Sequence, residues 1–400
     1  MADFLTIDDL KLSEKTVLVR VDLNVPMADG QVSDDTRIER IVPSVRELMA
    51  GGARVVLLSH FGRPKGERKA DCSLSPLVPA IEAVFGDVKV AFADDCIGSV
   101  AKFVINGLGP ESIALLENLR FHPGEEENDP AFAAALADLG DIYVNDAFSA
   151  AHRAHASVEG IARLLPAAAG RLMEAELTHL SAALDDPKRP LAAVVGGAKV
   201  STKLALLGNL VEKVDRLIIG GGMANTFLYA KGFPVGRSLC ETEMSDMVGE
   251  ILKKAEEADC EVLLPEDVVI APGPEAPGQS RVVSVEDVPA DSMILDCGPD
   301  TVNKLSAALE DCRSLVWNGP LGLFEVPPFD AATTSLARKA GELSLADRLL
   351  SVAGGGDTVA ALAHAGVVEQ FSYVSTAGGA FLEWLEGKTL PGVKALQEAA

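Results

Sequence analysis

Aromatic residues are scarce in this chain of 400 residues: they make up 5% of it, with only 2 Trp and 3 Tyr. Positive charge is scarce too, since 35 Lys and Arg stand against 59 Asp and Glu, a formal net charge of −24. A field of that sign opposes non-specific binding to nucleic acid or to an anionic membrane, both of which call for a basic surface. No run approaches the roughly 18 uninterrupted apolar residues of a membrane span. The opening MADFLTIDDLKLS lacks the basic stretch and apolar run of a secretory signal, so a cytoplasmic protein is expected. The 6 cysteines are scattered without a CxxC pair, which points to reduced thiols rather than a metal site. The P-loop sequence and GxGxxG are both missing, so any phosphate must be held in another way, and a nicotinamide dehydrogenase lacks its fingerprint.

What is present is a strong alternation. With 48% hydrophobic and 24% charged residues the chain is an ordinary folded one, and its length predicts two or three domains. Short apolar runs at 17–21, 54–58, 88–92, 113–116 and 142–144 read as strands, as do 191–195, 217–219, 261–264, 293–295, 315–317, 349–352 and 371–374. Segments of helical period lie between them; in 200–214, Leu204, Leu207, Val211 and Val214 recur at steps of three and four. Strands apolar on both faces, alternating with helices, predict an α/β protein with parallel sheets covered on both sides. A dozen strands overfill one sheet, so two Rossmann-like doubly wound domains joined by a hinge are expected. The boundary is expected within 165–190, where DPKRP (186–190) breaks the chain, giving domains at 1–170 and 171–386. The stretch 271–279 reads as a surface loop and Glu125, Glu126 and Glu127 as a solvated turn.

In open parallel sheets ligands bind beyond the carboxyl ends of the strands. In the first half those ends deliver Asp22 and Asn24, then Ser59, His60 and Arg63, then Glu117, Asn118 and Arg120, then Asn145, Asp146, His152, Arg153 and His155, with Arg37 at a helix start. Arginine forks bind carboxylate and phosphate bidentately, so Arg37, Arg63, Arg120 and Arg153 with His60 predict a pocket for a small anion, with Asp22 and Asn24 on its hydroxyls. The second half is different. Its strands run into GGAK (196–199) with Lys203 beyond, GGG (220–222), NGP (318–320) with Glu325 close by, and GGGDT (354–358). Glycine at such turns lets backbone N–H groups approach phosphate, and the helix N-terminus adds positive charge. Lys199 and Lys203 could neutralise phosphate and Asp357 could hold Mg2+, so a nucleotide site is expected. An anion site in one domain and a nucleotide site in the other predict phosphoryl transfer, which needs positioning and charge neutralisation rather than a covalent nucleophile. A two-domain sugar-phosphate binder would close on an anion too, but would not need the glycine turns with Lys199 and Asp357.

The motifs RVDLNVP (20–26), SHFGRPKG (59–66), LLENLRFHPGEEEND (115–129), NDAFSAAHRAHAS (145–157), GGAKVSTK (196–203), GGGMANTFL (220–228), VWNGPLGLFE (316–325), GGGDT (354–358) and VSTAGGAFLEWLEGKTLPGV (374–393) resemble phosphoglycerate kinase. The resemblance spans nearly the whole chain. It implies a monomer that transfers the acyl phosphate of 1,3-bisphosphoglycerate reversibly to MgADP, in line and on domain closure, giving 3-phosphoglycerate and MgATP. It implies Asp22, Leu23, Asn24, Arg37, His60, Phe61, Gly62, Arg63, Arg120 and Arg153 on the phosphoglycerate side. On the nucleotide side it implies Gly197, Lys203, Gly221, Asn318, Glu325, Gly355, Gly356, Asp357 and Thr358, with Mg2+ on Asp357. Arg37, Lys199, Gly355 and Gly356 are implied to stabilise the phosphoryl group in flight, and the segment 387–400 to return to the first domain. The partners implied are small molecules only. The chain departs from the family pattern at Ser149-Ala150, Asp300 and Ala377, and none of these removes a basic or metal-binding side chain.

Overall fold

The computed structural model describes residues 4–109 and 111–399. They form two compact units: one runs to Thr178 and resumes at Thr389, and the other is His179–Lys388.

In the first unit the strand Thr16–Arg20 is buried at every position, as a strand covered on both faces must be. It lies inside a parallel sheet of six strands in the order Lys89–Ala93, Ser112–Leu116, Arg54–Leu58, Thr16–Arg20, Ile142–Asn145, Ala167–Ala169. The chain fills the sheet on one side of Thr16–Arg20 and then returns to the other, so the strand order reverses between that strand and Ile142–Asn145. Such a reversal parts the flanking connections and opens a crevice at the carboxyl ends. The helix Thr36–Ala50 buries Ile38, Ile41, Val45 and Leu48, spaced three and four apart, against Val17, Val19, Val55 and Leu57. Arg37 occupies its first turn, off that apolar stripe.

The helix Arg171–Leu184 contains the boundary between the units. Its first turn belongs to the first unit because Asp146 Oδ1 accepts from the N–H groups of Leu172 (2.8 Å) and Met173 (3.1 Å), while Arg171 pairs with Asp8 and Glu47. Asp146, a candidate site residue by position, is therefore a helix cap; burial raises its carboxyl to about 6. Further along the helix, His179 stacks on Tyr373 of the second unit with ring centroids 4.6 Å apart. The closing helix Pro391–Glu398 packs within the first unit, where Gly392 N–H donates to the Ala151 carbonyl at 2.9 Å.

The second unit has its own parallel sheet of six strands, in the order Glu261–Leu263, Arg216–Ile219, Leu191–Val195, Ser314–Asn318, Leu350–Gly354, Tyr373–Ser375. Its order reverses between Leu191–Val195 and Ser314–Asn318. The run expected at 293–295 is not part of this sheet. Met293–Cys297 instead pairs antiparallel with Asp267–Ala271, which pairs with Arg281–Ser284 on its other side, so the expected loop at 271–279 joins two strands of this second, antiparallel sheet. Conversely Ala167–Ala169, whose alanines carry little strand preference, is a strand because Tyr143 and Val144 lie alongside it in parallel register. The helical pattern at 200–214 shortens to Leu204–Leu210, because the residues before it are drawn into the glycine turn described next.

Candidate functional site

In the first unit the strand ends converge on a hydrogen-bonded frame. Arg37 Nη1 donates to Asp22 Oδ2 at 2.9 Å and to the Asn24 carbonyl at 2.9 Å, and Ser149 Oγ donates to Asp22 Oδ2 at 2.6 Å. Burial raises the Asp22 carboxyl, but Arg37 and these bonds outweigh it and hold the group below its ordinary value. Asn24 Oδ1 accepts from Gly62 N–H at 2.9 Å, and Gly62 offers its carbonyl to Arg120 Nη1 at 2.9 Å. Leu23 N–H reaches Ser59 Oγ at 3.0 Å, and Phe61 exchanges bonds with Asn118 on both its N–H and its carbonyl.

Beneath this frame lies a buried charge. Arg20, which closes the strand Thr16–Arg20, donates from Nη2 to His60 Nδ1 at 2.9 Å and from Nε to Ser157 Oγ at 2.9 Å. Ser157 in turn donates to Glu125 from its N–H (2.9 Å) and its Oγ (2.6 Å). Glu125 is thus fully buried rather than solvated, and only Glu126 and Glu127 of that acidic run remain exposed. Burial pushes the Glu125 carboxyl up and Arg20 opposes it. Burial, reinforced by Arg20 and Arg120, pushes the His60 imidazole well below its ordinary range, and burial with Arg120, Arg20 and Arg153 takes His155 to about 3. His60 and His155 are therefore neutral among cationic guanidinium groups. Arg153 is exposed and acts on Arg120 and His155 through its field. Arg63 is also exposed, and no described residue bonds its guanidinium group. Sequence reasoning missed Arg20, Ser149 and Ser157. The one available signal was an arginine ending an otherwise apolar, fully buried strand.

In the second unit the glycine turns interlock at the reversal of strand order. Asn318 accepts Lys203 Nζ on Oδ1 at 2.5 Å and donates from Nδ2 to the Gly354 carbonyl at 2.8 Å; Lys203 Nζ also donates to the Gly196 carbonyl at 2.7 Å. Gly319 N–H donates to Thr358 Oγ1 at 2.7 Å. Gly355 has φ +101°, and a Cβ there would stand 2.6 Å from Asn318 Nδ2; a Cβ on Gly221 would stand 2.8 Å from the Gly197 carbonyl oxygen. The turns are thus packed backbone to backbone. Desolvation lowers the Lys203 ammonium to about 8, against the pull of Asp357.

Beside these turns is a cavity of about 340 Å3. Gly197, Gly221, Glu325 and Asp357 line it, as do Val268, Met293, Leu295 and Phe324. Its apolar wall comes in part from the antiparallel sheet that the sequence pattern did not predict, so the wall was missed with it. Lys203, Asn318, Gly355, Gly356 and Thr358 do not line the cavity. Gly355 and Gly356 open the helix Gly356–Ala365, whose first turn carries Asp357. Lys199 is exposed, makes no side-chain bond among the described residues, and lends its field to Glu241.

A family model described as phosphoglycerate kinase matches residues 7–388. The chain is 60% identical over 392 residues to a phosphoglycerate kinase of Ruegeria sp. (strain TM1040), covering 98% of this chain and 99% of the relative. It is equally 60% identical over 393 residues to one from Rhodospirillum centenum, with coverage of 98% and 99%. Among solved structures it resembles the phosphoglycerate kinase of Coxiella burnetii, with a TM-score of 0.91, 42% identity and 99% of each chain covered. It also resembles that of Pyrococcus horikoshii OT3, with a TM-score of 0.81, 31% identity and 99% of each chain covered.

Proposed function

The chain belongs to the phosphoglycerate kinase family, and from that premise we propose how its own residues divide the reaction. As a phosphoglycerate kinase it is a phosphotransferase with a carboxyl group as acceptor, exchanging phosphate between 1,3-bisphosphoglycerate with ADP and 3-phosphoglycerate with ATP. The observation that carries the assignment of roles is the contrast between the two strand-order reversals: one is lined by arginines around neutral histidines, the other by glycine turns beside an apolar cavity.

In the first unit Asp22, Leu23, Asn24, Arg37, His60, Phe61, Gly62, Arg63, Arg120 and Arg153 bind the three-carbon acid. Arg63 and Arg153, whose guanidinium groups no described residue bonds, take its phosphate, and Asp22 and Asn24 hold its hydroxyl and fix its orientation. The attacking atom in the ATP-consuming direction is a carboxylate oxygen, already ionised at neutral pH, so no residue need remove a proton. His60 is accordingly a positioning group that donates a hydrogen bond.

In the second unit the cavity takes the base and sugar of the nucleotide. Gly197, Gly221, Lys203, Asn318, Glu325, Gly355, Gly356, Asp357 and Thr358 bind or brace its polar end. The Asp357 carboxylate faces the cavity and has no hydrogen-bond or ion-pair partner among the described residues, which suits a hard cation that shares its shell with phosphate oxygens. Bound there, Mg2+ would neutralise phosphate charge. Arg37, Lys199 and the amides of Gly355 and Gly356 stabilise the charge on the phosphoryl group in transit. The reading includes a cytoplasmic monomer that acts on small molecules and closes on its substrates. An assay of ATP consumption dependent on 3-phosphoglycerate tests the activity, and calorimetry with each ligand separately tests the roles. The roles fail if Arg63→Ala weakens MgADP binding as much as 3-phosphoglycerate binding.

A further inference from the structure

Three donor atoms of different chemistry meet at the carboxyl edge of the first sheet, on side chains that were given no role above. We propose that Asp95, Cys96 and His122 form a binding site for a borderline-soft divalent cation, with zinc as the ion it suits best. One ligand atom from each lies within 4.8 Å of the other two. A set of thiolate, imidazole and carboxylate matches zinc, whereas magnesium and calcium take oxygen alone. Three protein ligands leave one tetrahedral position for water.

The donors are already held near one another. Cys96 is buried on the turn after the strand Lys89–Ala93, and its N–H donates to Asp95 Oδ1 at 2.7 Å. His122 stacks on Phe132 with centroids 5.1 Å apart, and its Nε2 meets the same Asp95 oxygen at 2.8 Å across 27 positions of sequence. The surroundings are anionic: after burial itself, the charges acting on the Cys96 sulfur are Asp95, Glu125 and Glu117, all of which keep the thiol protonated. The same carboxylates attract a dication. On binding, the thiol releases its proton to solvent as the zinc–sulfur bond forms. Scattered cysteines pointed away from metal in the sequence because this site pairs one cysteine with a histidine from a distant loop.

The test is a titration of the metal-free, full-length protein with Co2+, a spectroscopic stand-in for Zn2+. One equivalent is expected to give a thiolate-to-cobalt charge-transfer band with the intense visible bands of tetrahedral cobalt, and Zn2+ is expected to bleach both. Cys96→Ala should abolish the charge-transfer band. His122→Phe, which keeps the ring on Phe132, should weaken Co2+ binding at least tenfold. Zn2+ should also raise the thermal unfolding midpoint of the wild type and not that of Cys96→Ala. Absence of the band in the wild type, or its persistence at full strength in Cys96→Ala, overturns the proposal.

Discussion

Arg20 Nη2 stands 2.9 Å from His60 Nδ1, and since a guanidinium group can only donate, Nδ1 must accept and the imidazole proton must sit on Nε2. The depressed basicity of His60 agrees with this, because a neutral ring is the form that can accept from Arg20. A buried strand-end arginine thus decides which face of the His60 ring is a donor.

Nitrogen-15 spectra of the imidazole are expected to show His60 neutral and protonated on Nε2 from pH 6 to 8. In Arg20→Met the two tautomers should mix and the KM for 3-phosphoglycerate should rise, with the KM for ATP nearly unchanged. A wild-type ring protonated on Nδ1 would contradict the arrangement.

Lys199 makes no side-chain bond among the described residues, so Lys199→Ala should leave the free energy of unfolding within about 0.5 kcal/mol of wild type, as for an ordinary surface change. Its kcat should fall far more than its KM rises. An effect confined to KM would mean that the lysine binds ground and transition states alike.

Gly355 and Gly356 separate strain from function. At Gly355 the positive φ and the approach of Asn318 Nδ2 make Gly355→Ala costly, about 1–3 kcal/mol of stability, together with loss of MgADP binding. A Cβ at Gly356 meets nothing within 4 Å, so Gly356→Ala should fold normally and show any defect only in nucleotide affinity or turnover. Thermal unfolding beside MgADP calorimetry distinguishes the two.

Lys203 has a pH signature. Desolvation lowers its ammonium to about 8, below the ordinary 10.5, so the charge is present below that pH and lost as pH rises through it. MgADP affinity of the free enzyme should therefore fall between pH 7.5 and 9. Lys203→Met should bind weakly and without that dependence, and a variant that kept the full pH profile would assign it elsewhere.

His155 carries the stability counterpart. Its folded value of about 3 lies below the ordinary 6.5, so the unfolded chain binds the extra proton between those limits and stability drops as pH falls through that window. Chemical denaturation at pH 7 and pH 5 should show a smaller loss in His155→Gln than in wild type.

Much of this was written in local pattern. Continuous apolar runs such as TVLVR and LAAVV report burial on both faces, and the residues following them report what a sheet's carboxyl edge presents, so the arginine edge and the glycine edge could both be read from spacing. The strands 88–92 and 371–374 were legible for the same reason, although their ends shifted by a residue or two.

Partnership was not legible in that way. A run of apolar residues at 293–295 has the same period in a parallel as in an antiparallel sheet, so only the fold put it beside Asp267–Ala271 and onto the cavity wall. Glu125 sits in an acidic triplet that composition alone sends to solvent, and its burial depends on Ser157 reaching it from 32 positions away. Asp95 and His122, like Arg20 and His60, meet only because the topology brings separate strand ends together. From its sequence alone this protein was committed to two alternating α/β units, one with basic and one with glycine-rich strand ends, because hydrophobic period and turn chemistry are local. Which charges were buried together, and which atoms met, was decided only in the tertiary structure, because those contacts depend on strand order.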